Sequence, residues 1–346
     1  MKKLPKVNES FEELYRMLIA PIKSKLLLTG IELKVFDQLS EPKSADAVAE
    51  AIGSHPVNTR LFLDGLAASD LLEKNDGLYQ NTPVTQTFLV EGSPTFMGQI
   101  FTFSAQMWDA GLNNLPNLVK EGPPPPSPET DMSDEEMWEQ FALPMANNER
   151  SGPAQHVAEI ISELPEFPPF KKMLDLGGGP GLIGIAIVAA HPSMKGIIFD
   201  KPAMVKVAET FIKEYGIEDR MEIFGGDYLQ DSIGEGYDLI WASATLNFAK
   251  HDMDSIVKKI YDALNPGGVF VSLSDGLTHE RTKPEIMVLS WTPMVLMGQD
   301  MGLDQGVIAD SMLRVGFKSV RSRTLDMPMG PMDLDIGRKE EMTEDC

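Results

Sequence analysis

The chain has 346 residues, 42% of them hydrophobic and 24% charged, the composition of a globular protein with two domains or one domain and a helical extension. A formal net charge of −22 disfavours nucleic acid and anionic membrane surfaces as partners, no apolar run is long enough to cross a bilayer, and the N-terminus lacks the apolar core of a secretory signal. The single cysteine, Cys346, excludes an intrachain disulfide and a cysteine metal cage; with only five scattered histidines no metal site is recognisable, and a reducing cytoplasm is the expected location.

From Phe11 to Leu39 apolar residues recur at helical spacing, and Pro21 and Gly30 are expected to break the stretch into shorter helices. "SADAVAEAIG" predicts a short helix with Ser44 as N-cap and Gly53 as stop, and "PVNTRLFLDGLAASDLL" predicts a second. "LEKNDGLYQNT" reads as two strands around an Asp-Gly turn. Helices followed by a two-stranded wing make a winged-helix unit ending near Leu89. Between Glu41 and Val90 it carries three basic residues (Lys43, Arg60, Lys74) against seven acidic ones, so it offers a duplex no electrostatic footprint. A protein–protein role is expected instead.

Phe96 to Leu118 is a further helical stretch, containing Met107. Residues 119–136, "VKEGPPPPSPETDMSDEE", are proline-rich and acidic and read as a linker. "MWEQFALPMANNERSGPAQHVAEIISEL" returns to helix with Phe141 and Met145. From Lys171 strands and helices alternate: "KMLDLGG", "GLIGIAIVAAHP", "KGIIFD", "PAMVKVAETFIKEYG", "RMEIFGGD", "YDLIWASA", "MDSIVKKIYDALNPGG" and "VFVSLSDG". A last helix, "IADSMLRVGF", precedes a hairpin of "KSVRSRTL" and "MDLDIGRK". The fold class is α/β, a mostly parallel seven-stranded sheet with a C-terminal antiparallel hairpin. The expected division is 1–118, a linker at 119–136, and 137–346.

In such a sheet a ligand lies beyond the carboxyl ends of the strands. "LDLGGGPG" carries no Lys–Ser or Lys–Thr pair for a P-loop, and the third glycine of G-x-G-x-x-G is replaced by Leu182. The glycines Gly177 and Gly179 let a ligand lie on bare backbone, and Asp175 sets a carboxylate beside a ligand's cationic amino group. Asp200 closes the second strand, where an acid takes a ribose hydroxyl pair, and Asp227 closes the third, placed for an adenine amino group. Ser243, ending the fourth strand, completes the candidate set. Ribose, adenine and an amino-acid cation together describe S-adenosylmethionine.

With "FDKP", "GIEDRMEIFGGDYL", "YDALNPGG" and the segment "TRLFLDGLAASDLLEKNDGLYQNT", the chain resembles the S-adenosylmethionine-dependent methyltransferases of the caffeate and acetylserotonin O-methyltransferase type, from about residue 10 to 338. The resemblance implies a class I methyltransferase domain, an N-terminal winged-helix dimerisation domain, a homodimer and a small-molecule acceptor. It also implies cofactor-binding roles for Gly177, Gly179, Asp200 and Asp227. In that family a histidine general base follows the fourth strand. Here the stretch is "SATLNFAKHD". Counting forward from Asp238 places that position at Asn247, and counting back from Gly268 places it at Leu246; neither takes a proton at neutral pH. The family's flanking acid falls on Ser274 or Asp275.

Candidate replacements are His279 and His251, which follow the fifth and fourth strands, and Asn247, as a hydrogen-bonding group for a substrate oxygen. The region "EIMVLSWTPMVLMGQDMGL", with Trp291 and Met294, faces the acceptor in the family. With Met107, Phe141 and Met145 it is the candidate substrate pocket; the same residues also suit core packing. The expected activity is methyl transfer to a small, mostly apolar or aromatic acceptor. O-methylation leads, and C- or S-methylation by proximity, or a cofactor-binding dimer that methylates nothing, stands as the alternative.

Overall fold

The structure, a computed structural model, describes residues 3–125 and 135–341, so half of the expected acidic linker and Cys346 lie outside the described residues. The chain forms two compact units, Met1–Thr102 and Phe103–Cys346. The division falls inside the helical stretch Phe96–Leu118.

The first unit opens with α1 (Glu12–Glu32), a single helix where two breaks were expected. Pro21 lies inside it on an exposed stretch, where the proline removes one N–H donor and water meets the carbonyl left over. Gly30 is buried because a side chain there would meet the ring of Phe36 at 2.8 Å; it is a packing glycine and not a terminator. β1 (Lys43–Ser44) leads into α2 (Ala45–Ile52), capped by the Ser44 hydroxyl accepting from the Ala47 N–H and ended by Gly53 at φ 66°. α3 (Pro56–Ala68) follows, then β2 (Leu72–Asn75) and β3 (Leu78–Asn81). Their turn places Asp76 and Gly77 both at positive φ, as a tight hairpin demands. The strands form a small antiparallel sheet in the order β1-β3-β2. Val35, Phe36, Leu39, Leu63, Leu66 and Tyr79 fill the core of the unit. α4 (Pro83–Phe88) closes the wing, and α5 (Gly98–Leu112) begins before the division and runs past it.

The second unit continues with α6 (Leu115–Glu121), α7 (Glu135–Arg150) and α8 (Pro153–Ser162), then alternates. The succession is β4 (Lys172–Leu176), α9 (Leu182–Ala190), β5 (Lys195–Asp200), α10 (Pro202–Glu214), β6 (Met221–Gly225), β7 (Tyr237–Ser243), α11 (Met253–Ala263) and β8 (Leu264–Ser274). After α12 (Glu285–Leu296) and α13 (Val307–Val315), the hairpin β9 (Ser319–Met327) and β10 (Gly330–Arg338) completes a seven-stranded sheet. Its order is β6-β5-β4-β7-β8-β10-β9, with five parallel strands and an antiparallel pair at one edge. This is the expected sheet. Side chains alternate across it: Met173 joins one apolar layer with Ile161, Ile185 and Phe211, and Leu174 joins the other with Val257, Ile260 and Met312. Both faces are thus covered, and the free chemistry is confined to the carboxyl edge of the five parallel strands.

Candidate active site

The loop after β4 is shaped by three left-handed glycines, Gly177 (φ 63°), Gly179 (φ 56°) and Gly181 (φ 81°). Gly177 is also a close approach, since a Cβ there would fall on the Thr245 hydroxyl. Thr245 is locked in turn: the Tyr228 hydroxyl donates to its carbonyl at 2.6 Å and pairs with its Oγ1 at 2.7 Å. Asp200, at the carboxyl end of β5, accepts from the Gly179 N–H at 2.7 Å through one oxygen and from the Lys201 N–H at 2.6 Å through the other. Desolvation raises its pKa and these two N–H donors work against that rise. One lone pair per carboxylate oxygen stays available to a second donor. Asp227, just beyond β6, accepts from the Leu229 N–H at 2.9 Å and is half-buried, as is Ser243 at the end of β7.

Asp175 ends up beneath the glycine loop. Its carboxylate is 1% exposed and accepts from the Gly184 N–H at 3.1 Å; a side chain at Gly178 would meet its Cγ at 2.6 Å. The acid lies beneath the loop and braces the first turn of α9. Burial lifts its pKa to about 7.

Nothing in the sequence pattern singles out Glu149. This acid, 8% exposed, reaches from α7 to accept the Leu182 N–H at 3.0 Å, and burial beside Asp175 lifts its pKa well above the usual carboxylate range. It satisfies an N–H that the start of a helix leaves unpaired. One face of α7 carries Trp138, Phe141, Met145 and Glu149 at helical spacing. Met145 packs against the glycine loop, its terminal methyl 3.2 Å from where a Gly179 Cβ would be. Towards the other end of the helix, Phe141 stacks on Phe103 at 4.4 Å, and Trp138 meets Phe248 edge-on at 5.9 Å. Met107 stands one turn before Gly111 of α5, which packs on Pro293 of α12, next to the buried Met294.

Phe248 adjoins the position where a histidine was sought. Leu246 and Asn247 are both buried in the short helical stretch Leu246–Asp252 that follows β7. The Asn247 amide donates to the Met301 carbonyl at 2.6 Å and to Asp275 Oδ2 at 3.3 Å, and Trp291 Nε1 donates to the same Oδ2 at 2.9 Å. Asn247 is thus tied to the segment that follows α12 and to the residue after β8, and does not cap α11. Burial raises the pKa of Asp275, with both hydrogen bonds opposing. The two histidines lie elsewhere. His279 is exposed, at φ 52°, with its ring bonded to the neighbouring Thr278 hydroxyl. His251 is exposed and lines a recess of about 250 Å³ with Leu229, Phe248 and Lys259. The hydrogen-bond partners of Asn247 are Asp275 and Met301, not either histidine. Among the described residues no group of three or more His, Cys, Asp or Glu is placed to hold a metal.

Two family models match the chain: an O-methyltransferase domain over residues 129–302 and an O-methyltransferase dimerisation domain over residues 15–91. The N,N-dimethyltransferase OxyT of Streptomyces rimosus is 28% identical over 257 residues, 72% of this chain and 74% of its own. Acetylserotonin O-methyltransferase of Bos taurus is 24% identical over 330 residues, 91% of this chain and 94% of its own. Among solved structures, human N-acetylserotonin methyltransferase in complex with SAM superposes with a TM-score of 0.79 at 22% identity, covering 97% of this chain and 100% of that one. The glycine loop, the acids at successive strand ends and half the chain's length under one family model agree: the chain belongs to the O-methyltransferase family.

Proposed function

We propose that the protein transfers the methyl group of S-adenosylmethionine to a small acceptor with a largely apolar or aromatic body, without a histidine base, as a homodimer. The observation that carries the cofactor is the run of left-handed glycines, with Asp200 hydrogen-bonded to one of them. The human relative named above was solved with SAM bound, which supports the same reading. Gly177 and Gly179 admit the ligand against backbone, Asp200 has lone pairs left for a ribose diol, and Asp227 stands at the next strand end for the adenine amino group. Bound there, the cofactor supplies a sulfonium-activated methyl group. The protein's share is to hold the acceptor in line with it and to exclude water, which accounts for much of the acceleration such a displacement needs. Phe103, Phe141, Trp138 and Phe248 offer the acceptor an aromatic wall. The relatives include an N,N-dimethyltransferase and O-methyltransferases, so family membership leaves the methylated atom open.

Calorimetric titration with S-adenosylmethionine tests the reading. Saturable binding is expected, at least tenfold weaker in Asp200→Ala and lost in Gly177→Ala, whose Cβ would fall on Thr245. Absence of binding to the intact protein would overturn the assignment, as would a Gly177→Ala variant that binds normally.

A further inference from the structure

Asp275 is 7% exposed, yet no cationic side chain among the described residues pairs with it; its donors are the neutral Trp291 indole and Asn247 amide. A buried carboxylate is ordinarily matched by a cation or by several donors. The nearby cations are engaged elsewhere: Lys250 and Arg281 both pair with Asp300, and Arg281 also with Asp304. Asn247 adds a second observation. Its Nδ2 faces two acceptors, the Asp275 carboxylate and the Met301 carbonyl, which fixes the orientation of the amide. That leaves Asn247 Oδ1 buried and without a hydrogen-bond partner among the described residues. An orphaned acceptor and an uncompensated carboxylate, joined by a 3.3 Å hydrogen bond, stand together at the edge where the ends of β7 and β8 meet. Orphaned buried acceptors carry a desolvation penalty that a ligand's donors relieve.

We propose that Asp275 and Asn247 form an amine-recognition site, and that the atom methylated is the nitrogen of a primary or secondary amine on an aromatic or apolar body. A phenol or alcohol brings one O–H and satisfies one of the two acceptors. A primary amine brings two N–H bonds and a secondary amine one; protonated, either brings the missing cation, and it passes that proton to the Asp275 carboxylate and on to water before its nitrogen lone pair is free to react. The ring of Trp291, bonded to Asp275, and that of Phe248, next to Asn247 in the chain and met edge-on by Trp138, suit the apolar remainder. The assignment rests on the methyl-transfer reading. In the reaction the nitrogen lone pair bonds to the methyl carbon while the carbon–sulfur bond breaks and its electrons remain on sulfur. Positive charge passes from sulfur to nitrogen, and one N–H proton leaves nitrogen for the Asp275 carboxylate and then for water. No histidine is required.

The test uses the full chain saturated with S-adenosylhomocysteine, so that binding is read without turnover. Matched probes are titrated by ligand-observed NMR: 2-phenylethylamine and N-methyl-2-phenylethylamine against 2-phenylethanol, 4-ethylphenol and 3-phenylpropionate. The amines are expected to bind at least tenfold more tightly than the alcohol and the phenol. In Asp275→Asn that preference is lost while S-adenosylhomocysteine affinity changes less than twofold. Should Asp275→Asn lose its native circular dichroism, Asn247→Leu keeps the carboxylate, removes the orphaned oxygen, and is expected to weaken amine binding three- to tenfold. Three results would each overturn the amine site: the phenol binding as well as the amines, amine affinity unaffected in the variants, or no amine binding to a protein that does bind S-adenosylhomocysteine. A wild-type protein that binds neither S-adenosylhomocysteine nor S-adenosylmethionine would instead sink the methyl-transfer reading itself.

Discussion

Asp175 shows how much a single buried acid contributes to the pH dependence of this protein. Its pKa is about 7 in the fold against 3.8 for the unperturbed side chain, so between those values the folded state keeps a proton that the unfolded chain releases. Protons bound in excess by the native state make stability fall as pH rises, here from about pH 4 to pH 7, by an amount on the order of a few kcal/mol. Glu149, raised by the same burial, acts with the same sign. Asp175→Asn keeps an oxygen for the Gly184 N–H and removes the titration. Its denaturation midpoint in urea is expected to match wild type at or below about pH 4 and to exceed it clearly at pH 8; a constant offset at both pH values would contradict the assignment. The glycines and Asp200 were legible in sequence because their neighbours in space are also near neighbours along the chain or lie at successive strand ends. Glu149 and the Asn247–Asp275 pair were not, because their partners stand 33 and 28 residues away and the contact exists only once helices and strands have packed. Asp175 stands out in the sequence, but its burial does not: only the folded loop shows the carboxylate turned beneath Gly178.

Among the elements, the segment between β8 and α13 is the one that shapes the acceptor side. It brings α12 with Trp291, and the Met301 carbonyl that orients Asn247. It begins under local strain: His279, Glu280 and Arg281 are three consecutive non-glycine residues at positive φ. Such residues are disfavoured by about 1–3 kcal/mol each and persist when their surroundings hold them. Arg281 is the restraint, forked onto Asp300 at 2.7 and 2.8 Å and donating to the Gly302 carbonyl at 3.0 Å. Those bonds also hold the Asp300 carboxyl well below the usual range. Arg281→Ala is expected to release the segment. The Leu277 and Gln305 amides, which bond to the Leu303 and Leu277 carbonyls, should exchange at least tenfold faster with deuterium while those of β4 and β5 do not change. Uniform acceleration across the sheet would show instead that the residue supports the whole fold. The alternation of strands and helices was readable because burial on both faces gives short apolar runs with turn residues between them. The continuity of α1 was not, since nothing local distinguishes a proline tolerated on an exposed helix face from one that ends a helix.

At the scale of the whole molecule, α1 presents apolar side chains that the single chain leaves in water. Leu14, Leu18 and Ile22 recur at four-residue spacing and are 70%, 71% and 58% exposed, with Phe11 and Tyr15 alongside. Burying a side chain of this size stabilises by roughly 1.5–3 kcal/mol, so a stripe of five can hold two copies together against the entropy of association. The match to a dimerisation domain over residues 15–91 points to a second copy as the occupant. Charge sets the conditions. Each chain carries −22, yet around the stripe Glu12 and Glu13 are offset by Arg16, Lys23 and Lys25, so repulsion between copies arises mostly from the rest of each surface. Added salt screens that longer-range repulsion while leaving apolar burial intact, and the dimer is expected to tighten between 20 and 200 mM NaCl, roughly as the screening length shrinks below 10 Å. Sedimentation velocity across that range would read the effect, with Leu14→Glu/Leu18→Glu as the partner experiment. The double variant should sediment as a monomer at micromolar concentration with the α/β unit still folded. A dimer that survives both glutamates would place the interface away from α1, and one that loosens as salt rises would mean that ion pairs, not this apolar stripe, join the copies.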